Sequence, residues 1–544
     1  MATWFVTRHH GAVRWAIDAG IQVTSDGVVD SLDPEQVQSG DTVVGTLPIN
    51  LAAKVIARGA EYLHLAMEVP IEARGRELGA AEMRQYGARL ERYEIHLASS
   101  FQTRRNKFAG ESVMVVIASG QTIPNLLPLL ALSEKPSHLY LAVSGSEDAR
   151  TSAENIKRVA VLLNLPVSEY TETPAAPLTE VQAFARQCFD DIRSERPGAR
   201  IIVNATGGTK VMSAGFASAL GPAGEVIYCD TANDRIEYFS PQGRDPTPLP
   251  TDLLDLETYL LAQGQTIVAR TSDAKEWLQG VESRQAVTRS LVDALAGADP
   301  LRAARNIATL NGVANSALRD NNGNSHWQPQ QEIYNLEPWV LKKLKAAGLF
   351  LNCSTGTSER VTIEFSSETA AQYLCGGWLE EYCALTMRAL SLPAQHWGCG
   401  VKILPINALV EKESNAQRPS LNELDLAVVW RNRLLIVECK TGRQLGNSEG
   451  QAILNKLEAI RNYAAGSFGS GWLLNVHLLE KNSPALQRAR AYRISLHERE
   501  ALAALPQLIA RWMGRELSAD NVQALQHIQS RCQQRRRRAI PTAS

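Results

Sequence analysis

Hydrophobic and polar positions alternate along this chain with a rhythm that changes from segment to segment. The N-terminal "TWFVT" is typical of a strand, while "LAAKVIARGAEYLHL" and the charged "AAEMRQYGARLERYEIHLAS" have helical patterns, so residues 1–110 are predicted to form a small α/β domain. In residues 111–265, apolar runs such as "SVMVVIAS", "HLYLAVS" and "RIIVNATGGT" alternate with helical stretches such as "SAENIKRVAVLL". That alternation predicts βα units and a mostly parallel sheet.

The rest of the chain divides into three further predicted segments. Residues 266–365 are mixed and contain "RDNNGNSHWQPQQ", whose turn-forming residues predict an exposed loop in a connector. Residues 366–515 combine a helix, a hairpin and further helices into another α/β domain, and residues 516–544 are predicted to be a C-terminal helix with a basic tail. The predicted fold class is therefore a multidomain α/β protein.

Composition narrows the function classes. The chain has 544 residues, a formal net charge of -1 and eight scattered cysteines without a C-x-x-C pair. Near-neutral charge means that any nucleic-acid site must be local, and the cysteine pattern favours a reducing cytoplasm. Arg8, His9 and His10 interrupt the position of a signal peptide's apolar core, and no run approaches the roughly 20 apolar residues that span a bilayer. We therefore expect a cytoplasmic protein without a membrane partner.

A charged hairpin carries the first candidate chemistry. In "NELDLAVVWRNRLLIVECKTG" two apolar runs flank a two-residue turn at Arg431-Asn432. Counting outward from the turn places Asp425 across from Glu438, and Lys440 shares the face of Glu438 because strand side chains alternate. A solvated cross-strand salt bridge is the simplest alternative, but both runs are apolar enough to be buried strands, in which unused charges are costly.

Two adjacent carboxylates repel each other unless a cation neutralises them, so the pattern indicates a divalent metal with oxygen ligands. Such a metal activates water and polarises a phosphoryl oxygen, while the lysine offsets developing charge. The preceding "CGGWLEEYCALTMRAL" offers a further carboxylate, either Glu380 or Glu381. We favour Glu380, which lies at the edge of the helix's apolar face. This chemistry suits phosphodiester hydrolysis.

Polar loops follow three predicted strands of residues 111–265. Open α/β sheets bind ligands at the carboxyl ends of their strands, and a glycine-rich turn before a helix suits phosphate. The spacing does not match a Walker A loop, no G-x-G-x-x-G occurs, and "TGGTK" alone is also compatible with an ordinary helix cap. The candidate ligand-binding residues are Ser119, Gln121, Thr122, Asn125, Ser144, Asn204, Thr206, Gly207, Gly208, Thr209 and Lys210.

The motifs "GGWLEEY", "NELDLAVV" and "VECKTG", in this order, resemble the PD-(D/E)xK nuclease superfamily. More narrowly, the chain resembles CRISPR-associated effectors that join a CARF sensor domain to such a nuclease. The resemblance implies that Asp425 and Glu438 bind Mg²⁺ or Mn²⁺, with the main-chain carbonyl of Cys439 as a further ligand, and that Lys440 assists the water or the phosphate. The proline of the superfamily's name is absent.

The same resemblance has consequences for residues 111–265. A CARF domain implies a Rossmann-like fold and a homodimer that binds a cyclic oligoadenylate, such as cyclic tetra-adenylate, and thereby activates cleavage of DNA, RNA or both.

The N-terminal segment resembles a small family of CRISPR ancillary proteins. The resemblance lies in "VTRHHGAVRWA", "GDTVVGTLPINLAAKVIARGAEYLHL" and "ARGREL". It implies binding or degradation of cyclic oligoadenylates, a ring-nuclease role, for which the candidate catalytic residues are Arg8 and His9. A small domain with surface arginines and a core histidine is the alternative.

Three other functions stay open. The chain could be a DNA-repair or restriction nuclease, a CARF-type regulator or binding protein, or an effector whose N-terminal domain holds the messenger without cutting it. Retention of Asp425, Glu438 and Lys440 together argues against an inactive nuclease.

Overall fold

The computed structural model describes residues 2–7, 9–23, 27–70, 73, 76–93, 95, 108, 110–221, 224–320, 322–355, 360–411, 421–442, 448–480, 482–516 and 523. The candidate Arg8 and nearly all of the predicted basic tail lie outside these residues. The chain divides into two units, Met1–Arg105 and Asn106–Ser544.

The first unit is a five-stranded sheet with helices on its faces. Its strands are β1 (Thr3–Val6), β2 (Val28–Val29), β3 (Thr42–Gly45), β4 (Glu61–Ala66) and β5 (Arg89–Arg92), and its helices are α1 (His10–Asp18), α2 (Ile49–Ala57) and α3 (Ala80–Gln85). The strand order is β2-β1-β3-β4-β5, and only β5 runs antiparallel to its neighbour.

The two helical patterns predicted in this unit are wrong where the structure has β4 and β5, and residues 94 and 96–99 of the second pattern lie outside the described residues. Gly59 and Gly87 adopt left-handed backbone angles (φ +84° and +70°), which end α2 and α3 and turn the chain into β4 and β5. The strands that follow are short and partly polar, so their apolar residues fit a helical period as well as a strand period.

The second unit begins with a seven-stranded sheet of order β12-β11-β10-β9-β6-β7-β8. Its strands are β6 (Ser112–Ile117), β7 (His138–Ala142), β8 (Val167–Tyr170), β9 (Arg200–Asn204), β10 (Glu225–Asp230), β11 (Arg235–Ser240) and β12 (Thr247–Pro248), and its helices are α4 (Ile123–Ala131), α5 (Glu147–Leu162), α6 (Leu178–Glu195), α7 (Lys210–Leu220) and α8 (Leu256–Ala262). Strands β6 to β10 are parallel, as the alternating pattern predicts.

The predicted connector contains two long helices and a small antiparallel sheet. These elements are β13 (Gln265–Arg270), α9 (Lys275–Ala296), α10 (Pro300–Leu318), β14 (Gln330–Tyr334), α11 (Pro338–Ala346), β15 (Phe350–Thr355) and β16 (Arg360–Phe365). Strand β13 pairs antiparallel with a strand of the C-terminal sheet. The predicted loop from Arg319 is exposed and begins at the end of α10.

The C-terminal six-stranded sheet has the order β13-β17-β18-β19-β20-β21. Its other elements are α12 (Glu368–Gln372), a π-helical turn (Tyr373–Gly377), α13 (Trp378–Ala389), β17 (Trp397–Pro405), α14 (Ile406–Glu411), β18 (Asn422–Trp430), β19 (Arg433–Lys440), α15 (Ser448–Ile460), β20 (Ser470–Asn475), α16 (Pro484–Ala491), β21 (Ser495–Glu498) and α17 (Leu505–Trp512).

The hairpin of β18 and β19 lies in the middle of this sheet with both faces covered. Ala427 and Ile436 belong to a core shared with the seven-stranded sheet, while Val428 and Leu435 belong to a core shared with α9, α10 and α13. The prediction of two buried strands is therefore confirmed by their burial. Within the part of the chain that the structure describes, no helix is long and apolar enough to cross a membrane.

Candidate active site

The turn of the β18–β19 hairpin has the register predicted from its sequence. Arg431 and Asn432 both have positive φ (50° and 56°), as a two-residue type I′ turn requires. Trp430 pairs with Arg433, and the ladder runs to Leu426 and Val437. The next pair outward is Asp425 and Glu438.

Beyond that ladder, the side chain of Asp425, rather than a main-chain carbonyl, accepts the next hydrogen bond from β19. The Cys439 N–H donates to Asp425 Oδ2 at 2.6 Å. Lys440 Nζ lies 2.6 Å from Glu438 Oε1, which confirms that these two side chains share one face of the strand. The strand ends therefore bring together the three charges that the sequence predicted to meet.

The two glutamates of α13 have different surroundings. Glu381 is buried and accepts from the Arg284 guanidinium of α9, with Nη2 to Oε1 at 2.5 Å. Burial raises the pKa of Glu380 to about 8, and the Asp425 carboxylate adds to that rise. The carboxyl group of Glu380 therefore interacts with the charges of the hairpin, whereas the carboxyl group of Glu381 forms an ion pair with Arg284 of α9.

The Asp425 carboxyl also holds its proton more tightly than usual. Burial, followed by the charge of Glu438, raises the pKa of Asp425 to about 7, although Lys440 and the Cys439 amide oppose the rise. Burial opposes the charge of Lys440, but Glu438 and Asp425 outweigh it and raise the pKa of the ammonium. One lysine does not balance the three carboxylates, so the site favours an additional cation.

The few carboxylate oxygens at this site suit Mg²⁺ or Mn²⁺, which keep several water ligands, better than they suit a metal held entirely by protein ligands. Among the described residues, no group of three or more His, Cys, Asp or Glu side chains is arranged to hold a metal ion. Mg²⁺ keeps several waters and is commonly bound by one or two carboxylates, so the oxygens of Asp425 and Glu438 would suffice. The Cys439 carbonyl lies on the same side of its strand as the N–H that reaches Asp425.

A cleft of about 2070 Å³ leads to this site. That volume exceeds the usual range of small-molecule pockets, roughly 300–1,000 Å³, and suits a polymer. Its walls come from α10, the loop after α10, the π-helical turn, α13 and the hairpin. Its charged and aromatic lining includes Arg302, Arg305, Arg319, Trp327, Glu380, Lys402, Glu423, Asp425 and Lys440.

The double glycine before α13 shapes the cleft next to Lys440. Gly376 has φ +146°, and a Cβ there would lie 3.1 Å from Thr441 Oγ1. The same hydroxyl accepts from Asn311 Nδ2 of α10 at 2.9 Å. The connector helix α10 is therefore hydrogen-bonded directly to the residue that follows Lys440.

Sequence reasoning missed several residues of this cleft. Glu423 lies two positions before Asp425 on the same strand and pairs in register with Lys402 of β17. The two-residue period of "NELD" could have indicated Glu423. The connector arginines carried no such signal, because only the packing of α10 brings them to the hairpin.

The sensor loops meet at one edge of the seven-stranded sheet, since β9, β6 and β7 are parallel neighbours. Of the eleven predicted residues, several form the frame of the loops. Asn204 Nδ2 donates to Asn125 O at 3.2 Å, and Asn204 Oδ1 accepts from Thr206 N and Oγ1 at 3.1 and 2.5 Å. Thr122 is also buried and lies 3.2 Å from the hydroxyl of Ser152.

Glycines are necessary where the loop after β9 passes β6. A Cβ at Gly207 would lie 2.1 Å from Ile117 O, and Gly208 has φ +78°. Thr209 caps α7 by accepting from Met212 N at 3.2 Å. The predicted residues with side chains at the surface of this edge are Ser119, Gln121, Ser144, Thr209 and Lys210.

The seven-stranded sheet contacts the turn of the β18–β19 hairpin directly. Arg431 Nε donates to Asp234 Oδ2 at 2.8 Å, and a second guanidinium nitrogen contacts the same oxygen. Arg433 Nη2 donates to Thr231 O at 2.9 Å, and Asn432 Nδ2 donates to Pro250 O at 3.0 Å. The β10–β11 turn is therefore hydrogen-bonded to the turn of the hairpin, which is the end opposite to Asp425 and Glu438.

That turn is also connected to the sensor loop. Thr206 Oγ1 accepts from Cys229 N at 2.7 Å, and Cys229 lies just before the β10–β11 turn. An uninterrupted set of contacts therefore runs from the loop after β9 to Arg431.

A pH dependence follows from the raised pKa values of Asp425 and Glu380. Each folded-state pKa, about 7 and about 8, exceeds its ordinary value of 3.8 or 4.5. Stability from these groups is therefore fully present below about pH 4 and lost as pH rises through 7 to 8. Without metal, we expect the Tm of the parent to fall relative to that of Asp425→Asn between about pH 5 and pH 9.

Thermal unfolding in chelator, recorded at matched pH values for both proteins, measures this difference. Saturating Mn²⁺ should raise the Tm of the parent most at the alkaline end, because the carboxylates must lose their protons to bind it. A Tm difference between the two proteins that stays constant with pH would contradict the assignment.

Three family models match separate parts of the chain. Residues 4–96 match the CRISPR-associated protein family Cas_VVA1548, residues 113–250 match the Card1 CARF domain, and residues 367–515 match the Card1-like endonuclease domain. The resemblances predicted from the sequence motifs are confirmed, and the α/β layout of three such domains with them.

Solved structures show the same fold over the larger part of the chain. Can2 from Sulfobacillus thermosulfidooxidans, solved in complex with cyclic tetra-adenylate, is 19% identical with a TM-score of 0.52, covering 74% of this chain and 97% of Can2. The protein VC1899 from Vibrio cholerae is 17% identical with a TM-score of 0.58, covering 74% of this chain and 98% of VC1899. No curated protein matches the chain.

Proposed function

We propose that this chain, which joins a Cas_VVA1548-type domain, a CARF domain and a Card1-like endonuclease domain, is an effector of type III CRISPR immunity. In this proposal a homodimer binds a cyclic oligoadenylate, with cyclic tetra-adenylate as the preferred candidate, and then cleaves DNA, RNA or both. The N-terminal domain degrades the messenger and so ends the response. Support comes from the three family matches and from the cyclic tetra-adenylate bound to Can2.

One observation carries the nuclease assignment: Asp425, Glu438 and Lys440 meet at the open end of a buried hairpin that borders a polymer-sized cleft. Asp425, Glu438 and the Cys439 carbonyl would hold Mg²⁺ or Mn²⁺. The metal, when bound, activates water and polarises the phosphoryl oxygen. Lys440 offsets charge that develops on the phosphate, and Glu380, with its raised pKa, is suited to exchange a proton at the cleft wall.

In the sensor, the surface side chains of Ser119, Gln121, Ser144, Thr209 and Lys210 would contact the ligand. The buried residues Thr122, Asn125 and Asn204 and the half-buried Thr206 would hold the loops. Gly207 and Gly208 would allow the ligand's phosphates close to the main chain. A two-fold symmetric ligand suits a two-fold symmetric dimer, since each copy then supplies the same contacts.

The cleft arginines should bind the nucleic-acid backbone. Arg305 is exposed on α10 and has no acidic partner within 4 Å among the described residues, whereas Arg302 is paired with Glu337 at 2.7 Å. Arg305→Ala should weaken binding of all sequences and reduce the slope of log affinity against log salt by about one unit. Salt titration of fluorescent oligonucleotides, with chelator present to prevent cutting, measures both effects.

Lys345→Ala is a matched control for Arg305→Ala, because Lys345 is an exposed cation on α11 outside the cleft lining. An equal loss of salt dependence in both variants would contradict a specific role for the α10 arginine.

A single experiment tests the proposed function as a whole. The purified chain is incubated with cyclic tetra-adenylate, Mn²⁺ or Mg²⁺, and labelled DNA and RNA, and both the substrate and the ligand are followed. We expect cutting only when ligand and metal are both present, followed by loss of the ligand. Equal cutting with and without ligand would refute the switch.

A further inference from the structure

The N-terminal unit contains a cavity of about 880 Å³ that the nuclease site does not explain. It is lined by apolar side chains and by the polar or aromatic residues Thr7, His9, Asp30, Ser31, Thr46, His64, Arg76 and Tyr93. Its volume lies within the range of small-molecule sites, roughly 300–1,000 Å³. Of its two histidines, only His64 has its ring fixed by a buried partner.

That partner is the hydroxyl of Tyr62, which is 2% exposed and two positions before His64 on the same face of β4. The Tyr62 oxygen accepts from Leu47 N at 3.0 Å, lies 3.0 Å from Gly45 O and lies 2.8 Å from His64 Nδ1. The Leu47 amide therefore donates inside the protein and is not available to a ligand.

These three contacts favour one placement of the protons. Gly45 O can only accept, so its contact with the Tyr62 oxygen is a hydrogen bond when the Tyr62 proton lies between them. Burial raises the pKa of Tyr62, which keeps that proton in place. With that proton on the Gly45 side, Tyr62 accepts from His64 Nδ1 in the arrangement on which the inference below rests.

The neutral His64 ring is then protonated on Nδ1 and unprotonated on Nε2. Within the part of the chain that the structure describes, Nε2 has no hydrogen-bond partner, and the ring lines the cavity with the Tyr93 ring edge-on at 5.6 Å. The same Nδ1–H bond persists when Nε2 gains a proton, so the ring can take up and return a proton without turning.

From this geometry we infer that His64 is the catalytic base of the N-terminal domain and that Tyr62 is its positioning residue. The inference rests on the proposed messenger-degrading function. The substrate is a ribose phosphodiester of a cyclic oligoadenylate. Nε2 takes the proton of the 2′-hydroxyl, whose oxygen attacks the adjacent phosphorus; the bond to the 5′-oxygen breaks, a 2′,3′-cyclic phosphate forms, and the imidazolium returns the proton to the 5′-oxygen.

Arg76 is the cavity's candidate for stabilising the phosphate. It is exposed and pairs with Glu82 at 3.0 Å, so its charge is held at the cavity wall. In this reaction the protein needs only to align the nucleophile, move one proton and stabilise charge.

Ligand turnover by the full-length chain in chelator tests the assignment. His64→Gln should lower kcat by about 100-fold or more, the range typical of a lost general base. Tyr62→Phe should lower kcat by about tenfold with little change in KM, because the ring loses the acceptor that orients it. His10→Gln, an exposed histidine outside the cavity lining, is the matched control.

The outcomes separate the inference from the proposed function. If the parent consumes no ligand, both fail; if His64→Gln consumes it at the parental rate, the inference alone fails and another site cuts the messenger. The analogue built from 2′-deoxyadenylate should bind and persist, and its cleavage would overturn the assigned nucleophile. Binding of the 2′-deoxy analogue and the thermal unfolding profile of each variant report on folding of the N-terminal unit, and initial rates of ligand-activated DNA or RNA cutting should match the parent in every variant.

The tautomer can be read without any substrate. In ¹⁵N-histidine spectra of the full chain, the resonances lost in His64→Gln identify this residue. We expect a proton on Nδ1 and none on Nε2, and Tyr62→Phe should shift the population toward the other tautomer. A parental His64 protonated on Nε2 would overturn the inference whatever the ligand assay shows.

Discussion

Asp425→Asn should reduce ligand-activated cleavage of nucleic acid by about 1,000-fold or more, the largest effect that we expect from any single substitution. The change removes one carboxylate oxygen from the proposed metal site and a full charge from the group that accepts the Cys439 N–H at 2.6 Å. A metal-activated water and its charge stabilisation are each worth several kcal/mol, which makes a loss of this size reasonable.

The measurement is the initial rate of cutting at saturating ligand and Mn²⁺. Asparagine has nearly the volume of aspartate, so the buried hairpin should fold, and ligand binding by the sensor should be retained. Glu276→Gln, an exposed carboxylate in the first turn of α9, serves as a charge-matched control and should cut at the parental rate. A residual rate within tenfold of the parent would remove Asp425 from the site.

Arg431→Ala should reduce the ligand-activated rate by about tenfold and leave the basal rate unchanged. The guanidinium joins the hairpin turn to Asp234 of the β10–β11 turn, at the far end of β19 from Lys440. Since a hydrogen bond to a charged group contributes about 1.5–3 kcal/mol, its loss should weaken the coupling between sensor and nuclease. Ligand affinity is measured separately, to show that binding is retained.

The reciprocal exchange of the pair is the stricter test. Asp234→Arg alone should behave like Arg431→Ala, and the double variant with Arg431→Asp should recover part of the activation, because the pair is restored with reversed polarity. Arg235→Ala, which removes an exposed arginine paired with Glu237 on β11, is the control. Equal losses in Arg235→Ala and Arg431→Ala would mean that the Asp234 contact has no specific role.

Features of the site that depend on residues close together in the chain could be predicted from the sequence, whereas features that depend on distant residues could not. The register of the hairpin follows from a two-residue turn and the strand period, so Asp425, Glu438 and Lys440 could be grouped without a structure. The preference for Glu380 stays a prediction; the ion pair of Glu381 with Arg284, 97 residues earlier in the chain, is the observation in its favour.

The determinants that the sequence missed are long-range. Strand β13 pairs with β17, more than 130 residues later, and Arg305 reaches the cleft only because α10 packs beside the π-helical turn. In the N-terminal unit, the sequence pattern predicted a helix over Tyr62 and His64, so it did not place them on one face of a strand. Nor could it show that the Tyr62 hydroxyl meets Gly45, Leu47 and the His64 imidazole, because these contacts depend on the pairing of β4 with β3.

The pairing of β13 with β17 determines where the nuclease domain can be cut from the chain for transfer to another protein. The endonuclease match begins at residue 367, but the outer edge of its sheet is formed by Gln265–Arg270. A nuclease half excised at the match would expose the main-chain donors and acceptors of β17 and would invite edge-to-edge aggregation. A transplantable nuclease should therefore begin before Gln265, and it then carries the arginines of α10 with it.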